Sequence, residues 1–544
     1  MTEKTQSLYL QEKMLRGSAW LTFSNVASRL LGALYIIPWY AWMGTHAKQA
    51  NSLFSMGYTI YALFLMISTA GIPGAIAKLI ARYNSMKEFR VSQKVLYRAL
   101  QLSLGLGIIF AGLMYVGAPW LAKISGGGTV LVPIIRMLCF ALVTFPSMSV
   151  IRGYFQGNNT MEPFAISQVA EQVIRVLYMI LSAFFIMQVW QGNYVTAVSQ
   201  STFAAFVGML ASYGVLLYFL KKEAPFIRER LERSRDQVTF ETRVLVKEIV
   251  KEALPFIVLG AGVTVFKLVD QVTFIATMKN FTGYSHDQLL ELFSLFSANP
   301  DKLTMVVVAI ATSIALTGMP LITSLATQGN RHELGKMLSL NLQLFVYLIT
   351  PATFGLILLA YPLNTVFYSA DRLGSYVLIE SAVAALFIGL FTVASTLLQG
   401  LDHDRSAVFY WLIGLIIKSV IQVPLIRVLE VYGPLLATML GLAVTCSLSL
   451  YKLRKVAYFD HQMTLRRSLL VFFVTMSMCA LAFGMRQLCY LFLTPESGWQ
   501  AFLICLLTAS VGAISYFYFT LKIRLVDRLF GPRAKVWRRR LKIR

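Results

Sequence analysis

Apolar residues run through this chain in long blocks, separated by short polar turns, and the blocks repeat from residue 17 to residue 521. Each is roughly 20–27 residues long, which at about 1.5 Å per residue crosses a hydrocarbon layer about 30 Å thick with some tilt. The pattern predicts fourteen spans: 17–43, 52–70, 99–122, 129–151, 162–187, 195–220, 253–279, 303–326, 339–361, 375–400, 406–429, 433–451, 468–491 and 499–521. Segments of this length exclude a β-barrel, whose strands need only about ten residues. The first block is too long for the apolar region of a cleaved signal and is expected to stay as span 1.

Composition agrees with an all-α integral membrane protein. Of 544 residues 57% are hydrophobic, and mean hydropathy is +0.65. The formal charge of +24 invites a nucleic-acid reading, but its distribution argues against one. With the N-terminus in the cytoplasm, the inner segments hold 37 of the 49 Lys and Arg. The outer loops hold only Lys48, Lys123, Lys302 and Arg372. This is the positive-inside bias, and it places both termini in the cytoplasm. Trp39, Trp42, Trp120, Trp190 and Trp499 fall near outer ends, where an aromatic belt is expected. Five cysteines within spans imply no disulfide framework, and five scattered histidines lack metal-ligand spacing.

Two halves repeat. Gly71-Ile-Pro73 closing span 2 returns as Gly318-Met-Pro320 in span 8, and Gln156-Gly157 after span 4 returns as Gln399-Gly400. Arg175 and Lys418 each lie 18 residues beyond their glycine, so they are counterparts on spans 5 and 11. The expected organisation is an N-lobe at 1–220 and a basic cytoplasmic linker at 221–252. A C-lobe follows at 253–453, then two further spans at 454–521 and a basic tail at 522–544. Attraction to anionic inner-leaflet lipid accounts for the tail. In the longest outer loop, 280–302, Gln288 to Phe296 has the spacing of a short amphipathic helix capping the spans beside it.

Charge inside the spans is the chemistry of this chain. Arg29, Arg136, Glu171, Arg175, Lys267, Asp270, Glu380 and Lys418 all lie well within apolar blocks. A charge at mid-bilayer costs about 2.5–3.5 kcal/mol on insertion scales, so each must face protein or water. Glu171 with Arg175 and Lys267 with Asp270 have helical pairing distances, and Arg136 and Glu380 occupy equivalent outer positions. Five cations against three acids still leave a surplus of two. Two buried positive groups suit a pyrophosphate diester, which guanidinium groups readily fork, and repel a cationic cargo. Asp270 beside Lys267 is a candidate for cation coupling. Pro38, Pro146, Pro255 and Pro424 interrupt helical bonding, and Pro38 and Pro255 are candidate hinges. Gly329 to Lys336 has the wrong spacing for a P-loop, and no catalytic motif is present.

Gly71-Ile-Pro-Gly-Ala-Ile-Ala-Lys-Leu-Ile-Ala81, Arg152-Gly-Tyr-Phe-Gln-Gly157 and Ile166-Ser-Gln-Val-Ala-Glu-Gln172 resemble the polysaccharide-flippase branch of the MOP exporter superfamily. Length and span number are most similar to the Gram-positive MurJ-type (YtgP-like) lipid II flippases. The resemblance implies two pseudo-symmetric six-helix lobes in a V around a central cavity, with spans 13 and 14 forming a groove for a lipid tail. It implies alternating-access export of undecaprenyl-pyrophosphate-linked peptidoglycan precursor across a bacterial cytoplasmic membrane, and a non-enzymatic role in cell-wall biogenesis and cell shape. Other lipid-linked polysaccharide units and MATE-like drug/cation antiport remain open alternatives, and cell-wall synthesis proteins are candidate partners. Arg29 matches the span-1 arginine used for the pyrophosphate, with Lys267, Arg175, Lys418 and Arg136 completing the cationic set. Members with a sodium site use acids on spans 7 and 11. Span 11 here carries Lys418 and no such acid, which favours the membrane potential over Na+ as driving force.

Overall fold

The computed structural model describes residues 27–28, 31–69, 72–158, 160–234, 242–329, 331–457, 460–530 and 538, with backbone alone for 242–256, 320, 528 and 530. Arg29, Gly71, the linker segment 235–241 and most of the tail 522–544 lie outside the described residues, as does the Pro255 side chain.

The described elements are helical throughout. Span 1 ends in α1 (Ile36–Met43), and α2 (Ala47–Thr69) and α3 (Ile72–Ser85) make span 2 and its inner extension. Then come α4 (Phe89–Ile124), α5 (Leu131–Gly157), α6 (Glu162–Phe184), α7 (Tyr194–Glu232), α8 (Thr242–Phe281) and the short α9 (His286–Phe293). The chain continues with α10 (Asn299–Thr327), α11 (Arg331–Leu358), α12 (Ala360–Phe367), α13 (Arg372–Gly400), α14 (Asp404–Leu429) and α15 (Gly433–Ala457). It ends with α16 (His461–Tyr490), α17 (Gly498–Lys522) and α18 (Leu525–Phe530). Twelve continuous stretches among the described residues are long and apolar enough to cross a membrane. Two of them, of 55 and 54 residues, are about twice the length one crossing needs. Each breaks at a three-residue 3₁₀ turn, Gly44–His46 and Glu430–Tyr432, so twelve stretches accommodate fourteen crossings. Gly44 takes the left-handed backbone (φ 57°) that ends α1.

Packing divides the chain into two compact units, 1–294 and 295–544. The sequence repeat reappears as a repeat of helix pairings inside them. In the first unit α3 packs on α5, α4 on α5, α5 on α7 and α6 on α7. In the second, α10 packs on α13, α11 on α13, α13 on α15 and α14 on α15. Glycines of both motifs sit at these crossings. A Cβ on Gly153 would lie 2.6 Å from the Pro73 carbonyl, and one on Gly157 2.7 Å from that of Ala77. In the second unit Gly400 meets Met319 and Thr323, and the Thr323 hydroxyl donates to the Gly400 carbonyl at 2.9 Å. The motifs are therefore helix–helix contacts in which the missing side chain lets two backbones approach.

α8 and α9 pack against α2 and so group with the first unit, while the repeat in sequence aligns α8 with span 1. α9 is the expected amphipathic helix: Leu289, Leu290 and Phe293 are buried, and a capping box of Ser285 and Gln288 fixes its start. It is tied to α2 by the Ser52 hydroxyl donating to the Leu290 carbonyl and by Gln49 donating to Glu291 at 2.9 Å.

Pro38 breaks span 1 as its chemistry requires. Lacking an N–H, it leaves the Leu34 carbonyl without its helical donor, and Tyr35 stands in a turn between two helical segments. Trp39 corrects the aromatic-belt expectation: it is wholly buried and donates its indole N–H to Ser201 on α7 at 2.9 Å. Trp120, Trp190 and Trp499 are exposed, at 65%, 71% and 69%.

Candidate functional site

Two predicted charges of the first unit, Glu171 and Arg175, meet on α6. This carboxylate is buried on α6 and accepts from two guanidinium groups. Arg175, one turn along the same helix, donates through Nη2 to Oε1, as the i,i+4 spacing predicts. Arg152, from α5, donates through Nη2 to Oε2 at 2.9 Å. Its Nε binds the Ser167 hydroxyl at 3.0 Å, and Nη2 also reaches Ser212 on α7 at 2.9 Å. The face of the Phe164 ring lies 5.5 Å from the Arg152 guanidinium. Gly208 of α7 presses on this point: a Cβ there would stand 2.6 Å from the Glu171 carbonyl and 3.0 Å from the Arg175 Cβ.

Tyr35 before α1 and Tyr58 and Tyr61 on α2 lie within electrostatic reach of Arg175. Gly32 of span 1 lies beside the Gln172 amide, again on the α6 face next to Arg175. The side chain of Arg175 is 20% exposed against 8% for Arg152, and its Nε has no hydrogen-bond partner among the described residues.

Arg152 was hidden from charge reading because span 4, judged by hydropathy, ends at residue 151, which assigns the arginine to an inner loop. α5 continues to Gly157 and buries it. Adding Arg152 to the predicted set gives six cations against the same three acids, a surplus of three. The available signal was its position within the glycine motif that packs against α3.

The remaining described residues of the predicted set lie on other helices. Arg136 stands 16 residues before Arg152 on α5, about 24 Å along the helix, with its guanidinium 4.8 Å from the centroid of the Tyr115 ring. Lys267 is half-buried on α8, one turn from buried Asp270. The neighbouring Gln271 donates to the Met56 carbonyl of α2 at 3.3 Å. In the second unit Lys418 of α14 is fully buried and donates to the Thr438 hydroxyl of α15. Glu380 on α13 keeps Oε2 buried without a hydrogen-bond partner among the described residues. Within the first unit, then, Glu171, Arg175 and the unforeseen Arg152 are brought together, and Arg136 is not.

The family described as polysaccharide biosynthesis protein matches residues 14–326. The lipid II flippase MurJ of Bacillus subtilis (strain 168) is 30% identical over 537 residues, spanning 96% of this chain and 98% of its own length. The chain belongs to the polysaccharide biosynthesis protein family and is a MurJ-type homologue. A solved structure of the lipid II flippase MurJ in an inward closed conformation matches with a TM-score of 0.64 at 14% identity, covering 94% of this chain and 99% of that one. An inward-facing MATE multidrug-resistance transporter of the MOP superfamily matches with a TM-score of 0.59 at 13% identity, over 80% and 97%. At these identities the likeness is one of fold. By its membership of that family the protein is a multi-pass bacterial membrane transporter of the lipid or solute flippase kind, without catalytic activity.

Proposed function

We propose that this chain is a flippase that carries lipid II, the undecaprenyl-pyrophosphate-linked peptidoglycan precursor, from the inner to the outer leaflet of the cytoplasmic membrane by alternating access. Both termini face the cytoplasm. The observation that carries the reading is that Glu171 is shared between two arginines, one of which retains an unpartnered donor and partial exposure. A surplus guanidinium in a low-dielectric site favours an anionic cargo and disfavours a cationic one. The 30% identity to a lipid II flippase along nearly the whole chain supports the choice of cargo.

In this reading Arg29, Arg175, Lys267, Lys418 and Arg136 contribute positive potential to the pyrophosphate path, with Arg175 making contact. Asp270, Glu171 and Glu380 balance that charge, Pro38 and Pro255 serve as bends, and the membrane potential drives net movement. The test is reconstitution of the full chain in liposomes with a fluorescent lipid-linked precursor, followed by external quenching. Wild type exposes the precursor on both faces, Arg175→Ala slows exposure at least tenfold, and an imposed potential changes the rate. Exposure by Arg175→Ala at the wild-type rate rejects the reading. Faster movement of a lipid-linked polysaccharide unit lacking the peptide moves the assignment to that cargo, and uptake of a cationic dye in place of the lipid moves it to antiport.

A further inference from the structure

The two arginines do not share Glu171 equally. Arg152 is held by Ser167, Ser212 and the carboxylate together, and its side chain is almost closed to solvent. Arg175 has Glu171 as its salt-bridge acceptor, is more exposed, and keeps Nε unpartnered among the described residues. One arginine is anchored; the other is exchangeable.

A lone arginine on a buried carboxylate cannot leave it cheaply, because an unpaired buried charge is strongly destabilising. A second guanidinium, fixed by its own hydroxyl acceptors, removes that obstacle. We infer that Glu171 occupies the place of a substrate phosphate oxygen on Arg175 while the site is empty. Arg152 is the positioning residue that keeps Glu171 paired when Arg175 turns from the carboxylate to the phosphate. This rests on the reading above, in which Arg175 receives a pyrophosphate. The ligand chemistry is a lipid-linked pyrophosphate, and the exchange replaces one oxyanion on Arg175 by another without uncovering a charge. Ser167 and Ser212 keep Arg152 from following.

The three side chains carry a net charge of +1 when all are ionised. Arg152→Gln lowers that to zero and leaves Arg175 as the guanidinium holding Glu171, so the exchangeable arginine becomes the fixed one. Pyrophosphate affinity then falls on the order of tenfold, the size of one lost charge at partly screened range. Glu171→Gln raises the charge to +2, frees Arg175 and tightens binding by a similar factor. The double substitution Arg152→Gln with Glu171→Gln returns the charge to +1 and restores affinity to near wild type. A purely structural Arg152 would not give that recovery, because losing both partners would add damage to damage.

The measurement is binding of farnesyl pyrophosphate to the purified full chain in detergent micelles, for wild type, R152Q, E171Q, the double variant and R175A. Weakened R152Q, tightened E171Q and a recovered double variant establish the exchange. A double variant as weak as R152Q, or an E171Q no tighter than wild type, overturns it. In that case a weakened R175A still leaves the pyrophosphate site standing. R175A binding as wild type does overturns both readings. If R152Q fails to fold, E171Q decides alone: tighter binding supports the exchange, and unchanged or weaker binding ends it.

Discussion

Tyr516 of α17 donates its hydroxyl proton to the carbonyl oxygen of Tyr347 at 2.7 Å, and Tyr347 stands four residues before Pro351 in α11. Proline has no N–H to offer the carbonyl one turn back, so the tyrosine supplies the missing donor. The same device recurs eleven residues on. Leu358 stands four residues before Pro362, and its carbonyl accepts from Arg486 Nη1 of α16 at 2.7 Å. Arg486 is held between the rings of Phe483 and Tyr490, with centroids 4.9 and 5.5 Å away. The carbonyls freed by both prolines are thus satisfied by side chains from the C-terminal pair of spans, which lie outside the repeat. Where lipid offers no water to a freed carbonyl, such donors let prolines persist in a span.

Removing one of these donors should cost stability, and removing the proline with it should give the stability back. Arg486→Ala leaves the Leu358 carbonyl unsatisfied, a loss of about 1–3 kcal/mol, seen as a melting temperature lower by a few degrees in detergent. Pro362→Ala restores an N–H at the right position, so the double variant should recover most of that loss. Tyr516→Phe with Pro351→Ala should behave alike. Equal melting temperatures for Arg486→Ala and its double variant would show that the carbonyl is satisfied by other means.

The two copies of the glycine contact differ in slack, and substitution should reveal it. Gly153→Ala and Gly157→Ala drive a methyl to 2.6 and 2.7 Å from the carbonyls of Pro73 and Ala77, and backbone cannot move aside as a side-chain tip does. At Gly400 the nearest atoms are 3.3–3.5 Å away. Alanine there meets only a hydroxyl and a methionine, and alanine improves helix propensity by up to about 1 kcal/mol. Folded yield by fluorescence size-exclusion should therefore drop sharply for the first two variants and hold for Gly400→Ala.

The spans were legible because lipid demands long apolar runs, and the pairings because Gly157 and Gly400 mark a crossing in each unit. Glu171 and Arg175 were legible as a pair because their spacing puts them on one helical face. Arg152 was not, since hydropathy ends span 4 before it and a charge beside a short polar turn reads as an inner-loop residue. Trp39 was misplaced for a related reason: its distance from the end of span 1 suits the interface, but its burial is decided by Ser201, 162 residues away. Tyr516 and Arg486 carry no local signal of their roles as donors, because the prolines they serve lie more than a hundred residues upstream.

α9 should detach before anything else in the first unit. Ser285→Ala removes one half of its capping box, worth about 1 kcal/mol, and Ser52→Ala removes the hydroxyl that holds the Leu290 carbonyl to α2. Each should raise hydrogen exchange across residues 286–293 several-fold while leaving the exchange of α2 unchanged. Parallel acceleration in α2 would mean that α9 and α2 open as one unit.

Lys418 distinguishes charge from volume. It is fully enclosed, with its ammonium on the Thr438 hydroxyl, and its counterpart in the first unit is Arg175. Glu171 stands four residues before Arg175, and Gly414 holds the corresponding place before Lys418. An enclosed ammonium is costly to keep, so a lysine with only a packing role should be replaceable by methionine, which has similar length and no charge. Lys418→Met should then fold as well as wild type or better, as buried charges replaced by apolar groups of equal volume often do. If the ammonium contributes to the potential that draws the pyrophosphate, the same variant should lose precursor exposure in the liposome assay by roughly tenfold, on the scale of one removed charge. Wild-type transport by a well-folded Lys418→Met would remove this residue from the cargo path and leave Arg175 and the first unit to hold the anion.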